Sequence, residues 1–224
     1  MKALCLALTL IFCVPAFSQE KDQKVRTCRV FIPESLDAKI TELYLFDGQT
    51  SYEVQSARKN LSPVYTLPKS SKVLSLSFDP GATAEKPPVD TPKIDIPEGI
   101  TDLLLLLLQD PANPTIPIKF LLIDIGDDHL KIGETMWVNL TKNTISAELG
   151  SQQLIIDPES QAVSKPPAMT SGYYLASFSY KAPESETFSA IMKKSWWHDA
   201  TNKNIGFIVR DDKCILPNIF SVRD

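Results

Sequence analysis

The chain has 224 residues, with 23 lysines and arginines against 27 acidic residues and a formal net charge of −4. No basic cluster exists to displace counterions from phosphates, which argues against a nucleic-acid partner. Seventeen prolines against eight glycines point to short segments ended by loops rather than to long helices.

Residues Met1 to Ser18 have one basic residue, Lys2, an apolar stretch from Ala3 to Val14, and small residues Ala16 and Ser18 where a signal peptidase needs them. This reads as a secretory signal peptide over residues 1–18. The apolar stretch falls short of the roughly 20 residues that cross a bilayer, so no membrane span is expected after cleavage. Phe12 before Cys13 replaces the small residue that lipoprotein processing requires. The expected location is secreted or periplasmic. Cys5 and Cys13 leave with the leader, and Cys28 and Cys214 remain near the two ends of the mature chain. In an oxidising compartment they could form a disulfide; two separate buried thiols are the alternative.

Strands are predicted from Val25 to Ile32, Ile40 to Phe46 and Thr50 to Val54, the last two joined at Asp47-Gly48, the strongest hairpin signal in the chain. Ser62 to Pro68 has prolines at both ends and suits an edge strand. Lys72 to Phe78 alternates, placing Leu74, Leu76 and Phe78 on a buried face and Val73, Ser75 and Ser77 towards water. Asp79 to Pro92 reads as an exposed, mobile loop, and Lys93 to Ile96 as a short strand. Six leucines, Leu103 to Leu108, then form a run too short for a membrane span and barred from helix by the three prolines that follow. With Ile118 to Ile125 the run predicts a buried apolar hairpin joined by a proline loop.

The second part repeats this texture. Thr135 to Leu140, Thr144 to Leu149 and Gln153 to Ile156 are predicted strands, followed by a loop from Asp157 to Ser171 in which Lys165-Pro-Pro167 echoes Lys86-Pro-Pro88. Tyr173 to Lys181, Thr187 to Lys193, Asn204 to Arg210 and Cys214 to Val222 complete the strands, and Ser189 to Trp196 is the best place for a short helix. About seven strands per half fit an all-β chain of two tandem immunoglobulin-like β-sandwich domains, 25–127 and 128–224. An internal duplication is a candidate reading. Leu108 to Asn113 resembles Trp197 to Asn202, but the register that aligns them differs from the one that aligns the two Lys-Pro-Pro motifs. The antibody pattern of Cys, Trp and Cys is missing.

Leu45-Phe-Asp-Gly48, Leu61-Ser-Pro-Val-Tyr65, the hairpin after Ile100, Met136-Trp-Val-Asn-Leu-Thr141 and Trp196-Trp-His-Asp199 together resemble a family of uncharacterised secreted bacterial β-sandwich proteins. The resemblance implies a location in the bacterial envelope, and it brings no catalytic residues.

Chemistry-bearing residues are sparse. His129 and His198 are the two histidines, and no Gly-x-Ser-x-Gly elbow accompanies them. His198 and Asp199, adjacent in a strand, would point to opposite faces. Asp124, Asp127, Asp128 and His129 form an oxygen-rich cluster without calcium-loop spacing. No cysteine and histidine spacing suggests zinc, and no glycine-rich loop suggests a nucleotide, so no metal or cofactor is expected. Asn60-Leu-Ser62 and Asn139-Leu-Thr141 match the glycosylation sequon, relevant only in a eukaryotic secretory pathway. Trp137, Trp196, Trp197, His198 and Tyr173 are the candidate binding residues, because exposed aromatics stack on sugars or on a partner's apolar surface. In the pairs Trp196-Trp197 and Tyr173-Tyr174, strand geometry should bury one ring and expose the other. The expected function is a non-catalytic binding or structural module of the envelope, its partner an envelope protein or a polysaccharide. The alternatives are a carbohydrate-binding module and a hydrolase whose carboxylates converge only in the fold.

Overall fold

The computed structural model describes residues 25–33, 42–55, 60–210 and 216–224. Residues 1–18, expected as a signal peptide, and Cys214 lie outside the described residues. The described chain is all β, with no helix and sixteen strands in four sheets of four. Eight strands per half replace the seven expected.

In the first half, β1 (Arg26–Phe31), β4 (Tyr65–Leu67), β7 (Asp102–Gln109) and β8 (Ile118–Asp124) form one sheet in the order β4-β1-β7-β8. The strands β2 (Tyr44–Phe46), β3 (Ser51–Glu53), β5 (Val73–Ser77) and β6 (Lys93–Asp95) form the other, in the order β3-β2-β5-β6. In the second half, β9 (Thr135–Asn139), β12 (Gln161–Ser164), β15 (Asn204–Val209) and β16 (Asn218–Arg223) run β12-β9-β15-β16. Its other sheet, from β10 (Thr144–Leu149), β11 (Gln152–Ile156), β13 (Gly172–Lys181) and β14 (Ser189–His198), runs β11-β10-β13-β14.

The connectivity repeats strand for strand. In each half the first and seventh strands pair in parallel, and every other ladder is antiparallel. With Gly48 set opposite Gly150, the β2–β3 and β2–β5 registers fall onto β10–β11 and β10–β13. Ser75 and Ser77 then match Ser177 and Ser179. Both glycines have positive φ, +96° and +63°, as these tight hairpin turns require. Neither register suggested by the sequence is this one. Leu108 to Asn113 runs from the end of β7 into the loop after it, whereas Trp197 to Asn202 runs from the end of β14 towards β15, and the two Lys-Pro-Pro motifs lie in loops that do not correspond. The strand orders also differ from the ABED and CFG sheets of immunoglobulin domains, so the likeness extends to the tandem sandwich and not to that detail.

Three apolar clusters stack the sheets in four layers. Leu103, Leu105 and Leu107 join Cys28, Val30, Leu45, Leu74 and Leu76 inside the first sandwich. Leu104 and Leu106 point the other way, onto Met136, Val138, Ile205 and Phe207 of the second half. Trp137, Phe178, Trp196 and Ile208 fill the second sandwich. The β1 and β9 sheets are therefore inner layers covered on both faces, which explains an unbroken leucine run where a one-sided strand would alternate. Each fully buried leucine contributes about 1.5–3 kcal/mol. The seam between halves carries a ring cluster, with Phe31 stacked on Phe207 at 4.5 Å and 15°.

Three further expectations change. Ser189 to Trp196, the best helix candidate, is part of the ten-residue strand β14, because its pairing with β13 satisfies the backbone along its length. Gln161–Ser164, expected as loop, is strand β12 on β9. Phe78, expected on the buried face, is exposed beyond the end of β5, and Ser75 and Ser77, expected to face water, are buried. The 79–92 loop lies across them: Phe46, which pairs with Ser75 on that face, is 4% exposed, Ala82 of the loop is 5% exposed, and Ser51 Oγ donates to Ala82 O at 3.4 Å. Cys28 is a free, buried thiol, its ionisation pushed up by burial.

Candidate binding face

The outer sheet of the second half presents its free face through β13 and β14. Residues Tyr173, Leu175 and Ser177 alternate with Tyr174, Ala176 and Phe178, and the ladder sets Tyr173 opposite Trp197, Leu175 opposite Ser195 and Ser177 opposite Lys193. The even-numbered set of β13 enters the core, so the odd-numbered set and its partners look outwards. Tyr173 is 74% exposed and Trp197 42%, with ring centroids 4.9 Å apart at 73°. Leu175 beside them is also exposed.

Of the five aromatic and histidine candidates, the fold brings Tyr173 and Trp197 together and buries the other three. Trp137 lies between sheets, its Nε1 donating to Ser164 Oγ at 3.1 Å. Trp196 packs at 5.8 Å from Trp137, with Lys194 Nζ 4.8 Å over its ring. His198 is buried, its Nε2 donating to Ala168 O at 3.1 Å. The pairwise expectation is met: Trp196 turns in where Trp197 turns out, and Tyr174 turns in, its phenol pushed up to about 12 by burial, where Tyr173 turns out.

Sequence reasoning missed the polar row next to this pair. Gln153, Glu148, Ser177 and Lys193 are consecutive cross-strand partners over four strands, β11-β10-β13-β14, and share the outward face. The signal was available in Leu175-Ala-Ser-Phe-Ser-Tyr180, which repeats the pattern of Val73-Leu-Ser-Leu-Ser-Phe78.

The other candidates are engaged locally. Asp199 accepts hydrogen bonds from Thr201 N at 3.0 Å, Thr201 Oγ1 at 2.7 Å and Asn202 Nδ2 at 3.1 Å. These bonds hold its carboxyl at about 2 and build the β14–β15 turn rather than orienting His198. In the acidic turn, Asp124 Oδ1 accepts from Gly126 N, Asp124 Oδ2 lies 3.3 Å from His129 Nε2, and Asp127 pairs with Lys203 at 2.9 Å. Lys203 holds the Asp127 carboxyl below its usual range. Among the described residues no three His, Cys, Asp or Glu side chains are grouped to hold a metal ion. Asn139 of the second sequon is fully buried, donating to Asn143 O and Asp157 O and accepting from Thr141, which leaves its amide no room for a glycan. In comparisons with known proteins, no family model matches the chain and no curated protein matches it.

Proposed function

We propose that the protein is a non-catalytic binding module of the bacterial envelope, secreted or periplasmic, built of two sandwich domains that divide near residues 127 and 128. Its ligand is held on the outer face of the second. One observation carries this reading: Tyr173, Leu175 and Trp197 stand together in solvent on a sheet whose counterpart in the first half is covered. Clustered exposed apolar side chains of this kind mark interaction surfaces, and tyrosine and tryptophan are the residues that most often anchor them.

A carbohydrate-binding reading uses the same face, and the polar row of Gln153, Glu148, Ser177 and Lys193 favours it. The 73° angle between the rings weighs against it, because a sugar chain stacks best on a flat platform. The test is retention of the protein on isolated envelope fractions. Tyr173→Ala and Trp197→Ala are expected to lose retention while keeping the wild-type thermal midpoint; unchanged retention of both would overturn the proposal.

A further inference from the structure

At the end of the second half where β9, β13 and β15 begin, neighbouring connections meet. A Cβ added at Gly133 would lie 3.3 Å from Pro166 Cγ, and one at Gly150 would lie 3.7 Å from Pro167 Cβ, so both turns flank the loop between β12 and β13. Ala168 O accepts from His198 at 3.1 Å and Ser171 Oγ from Ala200 N at 2.9 Å, which pins the same loop to the end of β14 and the turn after it. Held in this way, the loop still leaves Met169 93% exposed, and Ile132, on the turn beside it, is 64% exposed. Tyr173 and Trp197 stand behind them at the near end of the β13–β14 ladder. Residues 166–180 carry no charged side chain, and Lys165 and Lys181 bound them.

We propose that this end of the molecule docks on the surface of a phospholipid bilayer, with Met169 and Ile132 in the acyl boundary and Tyr173 and Trp197 at headgroup depth. This rests on the binding-module reading above and names its partner. Three observations support the occupant. The side chains are ordered as a bilayer interface is, with aliphatic tips on the connections and two amphipathic aromatics behind them, the types that collect at headgroup level. Met169 is fixed outwards by the anchors of its loop and cannot fold back, so its cover has to surround a protruding side chain, as acyl chains do. Lys131 and Lys165 adjoin the two tips, both exposed and in no ion pair among the described residues, with stems long enough to leave their ammonium groups among lipid phosphates. The acids of these connections are engaged in the fold: Glu134 Oε2 accepts from Lys131 N at 3.0 Å, Asp127 pairs with Lys203, and Asp199 is buried in its turn; Asp128 belongs to the acidic turn beside His129.

The experiment floats the purified chain with vesicles of phosphatidylglycerol and phosphatidylethanolamine, a share of them brominated near the headgroup end of their acyl chains. Trp137 and Trp196 are buried, so bromine quenching reports chiefly Trp197. The chain is expected to float with the vesicles and to lose Trp197 emission to the bromines. Met169→Asp and Ile132→Asp should each weaken flotation about tenfold or more, because each loses its apolar tip. Both sites are exposed, so both variants should keep the wild-type thermal midpoint, and Met169→Leu should bind as wild type does. Lys131→Gln combined with Lys165→Gln should weaken flotation less. Failure to float, or flotation unchanged in both aspartate variants, overturns the proposal. Retention on envelope fractions from which detergent has removed the lipid would assign the partner to a protein or polysaccharide, overturning the lipid surface while leaving the binding-face reading intact. Concentration-dependent self-association that is lost in Met169→Asp would show a second copy as occupant and likewise overturn it. If flotation fails and Trp197→Ala also leaves envelope retention unchanged, both readings fall.

Discussion

The two outer sheets share strand order, pairing direction and register, yet one is interior and the other is surface. On the first, Phe46 is buried; on the second, the matching position is Glu148, in water. The difference comes from a connection: fifteen residues, 78–92, link β5 to β6 over the first sheet, and seven, 182–188, simply turn at the second. Burial at a given ladder position is thus set by the length of a loop elsewhere, and the chain has adjusted side-chain polarity to match. A face left open in one of two matching units, and furnished with Tyr173 and Trp197, is where a ligand has room.

Exchanging the matched residues is the sharpest way to break this comparison. Phe46→Glu places an unpaired carboxylate under the loop in exchange for a buried ring, and is expected to cost about 3 kcal/mol or more in denaturant unfolding. A loss under 1 kcal/mol would show that the loop does not cover this face. Gly206→Ala comes next. A Cβ there would lie 2.3 Å from Cε3 of Trp137, a constraint on the second inner sheet, so overpacking is expected to cost about 1–3 kcal/mol. The variant's near-ultraviolet dichroism should report a displaced Trp137.

A smaller effect distinguishes the turns that enter β7 and β15. The first uses Gly99 at φ +93°, and the second uses the Asp199 carboxylate. Because the folded state lowers that carboxyl from 3.8 to about 2, its stabilisation is present above pH 4 and is lost as pH falls towards 2. Asp199→Asn should therefore be less stable than wild type at pH 6, with the gap in thermal midpoint narrowing by pH 3. A gap that stays constant with pH would exclude a charge effect. The smallest expected change is the reverse exchange, Glu148→Phe, which should leave stability within about 0.5 kcal/mol because the site is exposed; a loss above 1 kcal/mol would mean the second outer face is already covered.

Much of the fold was legible in the residues. Asp47-Gly48 gave its hairpin, with Asp47 Oδ1 accepting from Gln49 N and Thr50 N. The prolines around Tyr65–Leu67 marked an edge strand, and the leucine run was rightly read as strand. Ser189 to Trp196 was harder, because Ile191, Met192 and Trp196 satisfy a helical spacing as well as a strand with a bulge, and it is the β13 ladder that selects the strand. Half of the candidate site was legible too. Alternation said that one ring of Trp196-Trp197 would be exposed, but not which, since that depends on which face of β14 meets the second core. The row from Gln153 to Lys193 draws one residue from each of four strands, and only register brings them together.

By itself the sequence determined the local terms: an all-β chain, its turns and the positions of the apolar strands. These follow from near-neighbour chemistry, in which glycine permits positive φ, proline withholds a donor and apolar periodicity selects strand. Tertiary structure decided which layer each sheet occupies. The leucine run is buried on both sides because a second inner sheet packs against it, and Trp197 is exposed because no loop returns over it. Both outcomes depend on surfaces supplied by residues distant in the chain, which no local pattern encodes.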